Sequence, residues 1–327
     1  GALTGLSYAG TIGNMKVIKK FFAYGCLHQL IRFVEDFYPT DKTLIRYNMK
    51  QGVNNSIFPV LLIEENSINS CNIKSMKIGY PNNPRKDVMD EIKWIGEHFD
   101  FIDFFMEPDK AYYDVIDLNA IKKALKEYGL DVVGHTAYYL PFSSPIKALR
   151  ETAIKEASKC FDAFHKLDAE YVTVHANWPP PLFNAKESLE MQIESLALLI
   201  EEAEKYGIKL MYESGIGELD NYTNVAKVLQ ALPKLYFHLD IGHASLHGRD
   251  VCKFIRKLHN RLKHVHLHDN FGKEDLHLPI GIGKIKWEEV IKELKRYYNG
   301  TITLEIFAPR DYILLAKKKF EEMWKSL

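Results

Sequence analysis

From Met76 onward the chain alternates eight times between a short β-like apolar run and an amphipathic helical stretch. No other feature of the sequence constrains the fold as strongly. The runs are "MKIGY" (76–80), "FDFIDFF" (99–105), "DVVGH" (131–135), "YVTVH" (171–175), "IKLMYE" (208–213), "LYFHLD" (235–240), "HVHLH" (264–268) and "TITLEIF" (301–307). Between them, stretches such as "LNAIKKALKEYG" and "ESLEMQIESLALLIEEAEKYG" repeat apolar residues every three or four positions, and several end in the glycine that a helix C-terminus prefers. A last helix, "YILLAKKKFEEMWKSL", closes the series. Eight strand-and-helix units over about 250 residues predict an α/β fold of the TIM (β/α)8 barrel type. A doubly wound open sheet would also alternate, but eight complete units and the lack of a GxGxxG turn put it second.

Residues 1–75 stand outside this rhythm. "MKVIKKFFAYGCLHQLIRFVEDF" reads as an amphipathic helix and "SIFPVLLIEE" as a strand, with the polar "NSINSCNIKS" after them. The expected organisation is a small N-terminal extension over 1–75 and a barrel over 76–327. An accessory domain, a barrel-end cover, an oligomerisation element and an upstream extension before a natural start at Met76 all remain open for the first part.

Formal net charge is zero, so the summed field offers no general attraction to nucleic acid or anionic membrane. The barrel region itself is slightly acidic, 35 Lys/Arg against 38 Asp/Glu. Cys26, Cys71, Cys160 and Cys252 lie far apart with no CxxC pair, which predicts inert thiols in a reducing compartment. The start of the chain lacks a basic segment ahead of its apolar residues, and the longest aliphatic runs are too short to span a bilayer. The expectation is a cytoplasmic protein with no membrane partner, with a homo-oligomer left open.

In a TIM barrel the chemistry sits where strands end and loops to the helices begin. Here the third and fourth strands end in His135 and His175, and the fifth in Glu213. The sixth ends in Asp240, with His243 three residues on. The seventh carries His266 and then Asp275 and His277 in its loop, the eighth carries Glu305, and the second adds Glu107. A lone strand-end histidine is more often structural than a ligand. Six successive strand ends with such residues are different, because acids and imidazoles crowded at one rim are costly unless a cation offsets their desolvation and repulsion. Mixed nitrogen and oxygen donors suit zinc or manganese first, with magnesium or cobalt also compatible. His238 and His264 lie earlier in their strands, and His28, His98, His165 and His259 fall on helices. Packing or surface roles are expected for these, while His247 and His268 are candidates for supporting the ligands.

The motifs "LDIGHA" (239–244), "VHLHDN" (265–270), "DLHLPIGIG" (275–283) and "TLEIF" (303–307), with "YESG" (212–215) and "HTAYYLPFSSP" (135–145), are recognisable together. Residues 76–327 resemble the xylose isomerase-like TIM barrels, the superfamily of sugar-phosphate isomerases and epimerases that also holds endonuclease IV (AP endonuclease family 2). In the isomerase and epimerase branch the resemblance implies one divalent metal on Glu213, Asp240, His266 and Glu305. It further implies proton transfer by Glu213 and Glu305 through a metal-stabilised enediolate of a small sugar or sugar phosphate, with substrate oriented by His243 and bound by Glu107 and Tyr138. In the endonuclease IV branch it implies three zinc ions: His135, His175 and Glu213 for the first, Glu213, Asp240, His266 and Glu305 for the second, and His243, Asp275 and His277 for the third. That alternative would act on abasic-site DNA. Three departures place it second: "FFMEPDKAYY" lacks a basic, glutamine-containing wedge despite Lys110, "ESGIG" lacks an Asn-Thr pair, and "HDNFGKEDLHLPIGIG" reads like the isomerase branch.

Overall fold

The structure, a computed structural model, describes residues 76–327. The expected extension over 1–75 and its helix and strand lie outside the described residues. Eight parallel strands close into a barrel in chain order: β1 Lys77–Pro81, β2 Phe101–Met106, β3 Asp131–Thr136, β4 Tyr171–His175, β5 Lys209–Glu213, β6 Tyr236–Asp240, β7 Leu262–Leu267 and β8 Thr301–Leu304. β1 pairs with both β2 and β8, so the ring has no free edge. All eight expected strands are present. Their ends shift by up to three residues: β3 runs one past His135, β7 begins two residues earlier, and β8 stops at Leu304, so that Glu305 follows its last residue.

The helices form where the spacing predicts, and their first turns are satisfied locally. Asp87, Asp117 and Asn184 each accept backbone N–H groups at the starts of Val88–His98, Leu118–Tyr128 and Ala185–Glu204. Asn184 also forms a reciprocal capping box with Glu187. At the other end of Leu118–Tyr128, Gly129 takes the left-handed conformation at φ 67°, which suits a residue without Cβ. The helices bury their apolar faces on the outside of the barrel, against residues such as Ile102, Phe104, Val172, Tyr212 and Leu239. Among the described residues no helix is long and apolar enough to cross a membrane. Cys160 and Cys252 are free and buried.

Inside the barrel the two-residue period of each strand stacks side chains in layers. Phe101, Val133 and Met211, with Tyr171 and Tyr236 against them, fill the end where the strands begin. The next positions along those strands turn polar: Asp103, Thr173, His238, His264 and Thr303 are all fully buried. One step further are His135, His175, Glu213, Asp240, His266 and Glu305, at the mouth. The barrel is therefore greasy at one end and ionisable at the other.

Candidate active site

Strand register sets the neighbours at the mouth. His175 pairs with Glu213 across β4 and β5, and Asp240 with His266 across β6 and β7. Glu305 joins them because its backbone N–H donates to Leu267 O, continuing the β7–β8 ladder past the last strand residue. Asp240 both ends β6 and caps the short helix Ile241–Ser245, its Oδ1 accepting the His243 N–H at 2.7 Å. This turn, absent from the strand-and-helix reading of "LDIGHA", fixes Asp240 and His243 together.

All nine expected ligand-type residues come to one rim, where their donor atoms fall into adjoining groups. His135 Nε2 lies 2.7 Å from His175 Nε2, and the two lie 3.3 and 3.2 Å from Glu213 Oε2. His266 Nδ1 is 3.0 Å from Glu305 Oε2 and 3.7 Å from Asp240 Oδ2, and donor atoms of Glu213, Asp240 and His266 gather within 4.8 Å of one another. Asp275 Oδ2 stands 3.2 Å from His243 Nε2 and 3.0 Å from His277 Nε2. Zinc–nitrogen bonds of about 2.0 Å separate tetrahedral donors by roughly 3.3 Å, so these spacings have the size of coordination faces.

The donor set fits a divalent cation on a second ground. Both oxygens of the buried Glu213 carboxylate, and Asp240 Oδ2, have no hydrogen-bond partner. A buried carboxylate oxygen without a donor is costly, and a cation would satisfy it. His243, by contrast, directs Nδ1 at the Ser214 carbonyl, 3.1 Å away, which leaves Nε2 for Asp275.

Burial alone would raise these acids, yet the surrounding imidazoles outweigh it. Asp103, Glu213, Asp240 and Asp275 are all held below the usual carboxylate range, Asp275 by hydrogen bonds from His243 and His277. Burial likewise opposes charge on the imidazoles. Even so, the neighbouring carboxylates of Asp103 and Glu213 push His135 up to about 9, and Glu305 and Asp275 push His277 up to about 9. His243 and His266 are raised well above the ordinary value against the same opposition, chiefly by Asp240 and Glu305 respectively. Burial, with the charges of His135 and His243, takes His175 down to about 4. The two rings 2.7 Å apart are thus shifted in opposite directions, His135 up and His175 down.

Glu107 is half-buried at the mouth, within electrostatic reach of His135 and Glu305; burial raises its carboxyl. Tyr138 is 61% exposed, its ring 6.0 Å from His175, so it offers an open apolar edge beside that imidazole. His98, His165 and His259 stay on helices or their ends, and His238 and His264 are buried in the polar layer, as expected. Exposed His247 bonds the Ile216 carbonyl at 3.0 Å.

Three residues carry more than the strand-end rule assigns them. His268 Nε2 lies 3.0 Å from Asp240 Oδ1 and groups with His243, Asp275 and His277. Asp103 lies under the mouth, 2.6 Å from His266 Nε2; the signal that finds it is a lone acid inside the apolar run "FIDFFM". Asp269 anchors the loop after β7, accepting from the N–H groups of Asn270, Gly281 and Ile285 and from Trp287 Nε1. The loop that brings Asp275 and His277 to the rim is thus tied down by the acid next to His268.

Gly242 gives His268 its room. A Cβ there would fall 1.8 Å from His268 Cε1, so Gly242→Ala is expected to displace the ring and cost about 1–3 kcal/mol of stability. Urea unfolding measures this, and a loss under about 0.5 kcal/mol, the ordinary scatter of neutral substitutions, would contradict the packing argument.

A closed (β/α)8 barrel with imidazoles and carboxylates gathered at the C-terminal ends of its strands defines the class: a TIM barrel built to hold its chemistry at that rim. Within that class the chain belongs to the xylose isomerase-like TIM barrel family, whose model matches residues 89–325. An uncharacterized protein of Methanocaldococcus jannaschii is 30% identical over 240 residues, covering 67% of this chain and 79% of the relative. The fructoselysine 3-epimerase of Escherichia coli O157:H7 is 25% identical over 227 residues, covering 63% and 81%. Among solved structures, a D-tagatose 3-epimerase-like protein superposes with a TM-score of 0.70 at 25% identity, covering 77% of this chain and 98% of that one.

Proposed function

We propose that this chain is a divalent-metal-dependent isomerase or epimerase acting on a small ketose, aldose or sugar phosphate. The observation that carries the reading is the gathering of donor atoms of Glu213, Asp240 and His266 within 4.8 Å of one another, with Glu305 Oε2 3.0 Å from His266 Nδ1. The fructoselysine 3-epimerase and D-tagatose 3-epimerase-like relatives support it. Those four residues would hold the ion. When bound, it supplies Lewis acidity that steadies negative charge on the substrate's hydroxyl and carbonyl oxygens and so acidifies the C–H between them.

The remaining work falls to side chains. Glu213 is held ionised by its imidazole neighbours against burial, which leaves it ready to accept a proton from carbon. Glu305 approaches from β8, three strands further round the ring, and returns a proton to the other face or to the neighbouring carbon. His243 orients a substrate oxygen, Glu107 accepts a sugar hydroxyl, and the Tyr138 ring walls the entrance. Solvent deuterium should enter substrate at the carbon whose proton is exchanged, across a panel of sugars and sugar phosphates with zinc or manganese added. A blank panel with metal-loaded protein would overturn the proposal.

Ion uptake should also release protons. The ion must displace the proton on His266 Nδ1, the one imidazole among its four holders, whose value is raised well above the ordinary one. Proton competition weakens as pH climbs toward that raised value, so apparent affinity should rise with pH above neutrality. Titration calorimetry in buffers of different ionisation enthalpy reads the released protons, and zero release would count against imidazole ligation.

One observation favours a second reading. The groups of His135, His175 and Glu213, and of His243, Asp275 and His277, offer faces for further ions beside the first. Three ions would suit in-line attack on a phosphodiester. That reading requires metal-dependent nicking of an abasic-site duplex, lost when His135→Ala and His175→Ala are combined. Metal content by elemental analysis separates one ion per chain from three.

A further inference from the structure

We propose that Asp103 is the positioning residue of His266: it takes the Nε2–H from below, which turns Nδ1 toward the carboxylates at the mouth. The inference rests on the metal reading above. The two ring nitrogens of His266 face opposite ways along the barrel. Nε2 donates to Asp103 Oδ2 at 2.6 Å in the fully buried polar layer, while Nδ1 stands 3.0 Å from Glu305 Oε2 and 3.7 Å from Asp240 Oδ2. An imidazole presents a lone pair at one nitrogen only if its proton is held at the other, and a buried carboxylate holds that proton better than a neutral acceptor does.

Asp103 is itself gripped. Its Oδ2 also accepts from His264 Nε2 at 3.1 Å, and His264 Nδ1 is fixed 2.7 Å from Thr301 Oγ1. A carboxylate from β2 is thereby held beneath a ligand from β7 by side chains of β7 and β8. His135 points its far nitrogen the same way, Nδ1 lying 3.8 Å from Asp103 Oδ1, while its Nε2 faces His175 and Glu213. One acid thus sits under two imidazoles that belong to different donor groups at the rim. Pure packing would not require this: an apolar side chain in the same layer would avoid burying the charge.

The test has two parts. In wild-type protein labelled with 15N-histidine and loaded with zinc, the resonance lost in His266→Gln should report a protonated Nε2 and a zinc-bound Nδ1. Zinc on Nε2, or an unprotonated Nε2, overturns the proposal without any variant having to fold at position 103. In Asp103→Asn, zinc affinity measured against a competing chelator should fall roughly ten- to hundredfold, with circular dichroism showing the barrel retained. A folded Asp103→Asn protein that binds zinc within threefold of wild type also overturns it. If wild-type protein binds no zinc at all, the metal reading has failed instead, and the two failures are told apart by that one control.

Discussion

Exchanging Glu213 for Gln is expected to lower kcat/KM by about 10³-fold, the middle of the range for removing a positioned acid or base. The amide keeps the shape of the side chain and removes its charge. That charge faces His135 and His175 at 3.3 and 3.2 Å, His238 Nδ1 at 3.3 Å and His243 Nδ1 at 3.4 Å. The variant should also bind less metal, because a neutral amide is a poor fourth donor beside Asp240, His266 and Glu305. A proton-transfer role alone would spare metal content, so elemental analysis beside the kinetics separates the two contributions. Activity within tenfold of wild type, in protein with unchanged circular dichroism, would remove Glu213 from the chemistry.

The second large effect is on stability. Asp269→Ala is expected to cost about 3–5 kcal/mol, because it strands donors that now converge on one buried carboxylate. Trp287 Nε1 is the severest case, at 2.7 Å and inside the hydrophobic core. For a domain of this size that is a fall of roughly 10 °C in Tm. Because the same carboxylate ties down the loop bearing Asp275 and His277, a third ion, which only the second reading places there, should bind more weakly as well. Chemical denaturation of the purified variant gives the figure; a loss below about 1 kcal/mol would mean water or the loop itself replaces these bonds.

Much of the fold was legible because periodicity is a local property. Alternation in "YVTVH" and "LYFHLD" marks a strand whatever surrounds it, and a Gly such as Gly129 stops a helix by its own backbone preference. The ligand-type residues were legible for the same reason, since strand ends can be counted once strands are found. His268 shows the limit. It lies one step past the end of β7, and only the packing of Gly242 beneath its ring brings it toward Asp240 and Asp275. Asp103 shows a different one: it and His266 are 163 residues apart, and no local pattern links an acid in one strand to an imidazole in another.

By itself, the order of residues determined that eight strands and their helices would form, and that acids and histidines would stand at the strand ends. Barrel closure decided which of them meet. It puts β2 and β7 on the same interior, so that Asp103 lies beneath His266, and it aligns Asp240 with His266 and His175 with Glu213 by register. The physical reason is the difference in range: backbone preference and side-chain alternation act over a few residues, whereas a coordination face needs atoms from distant segments held within a few ångströms by the whole ring.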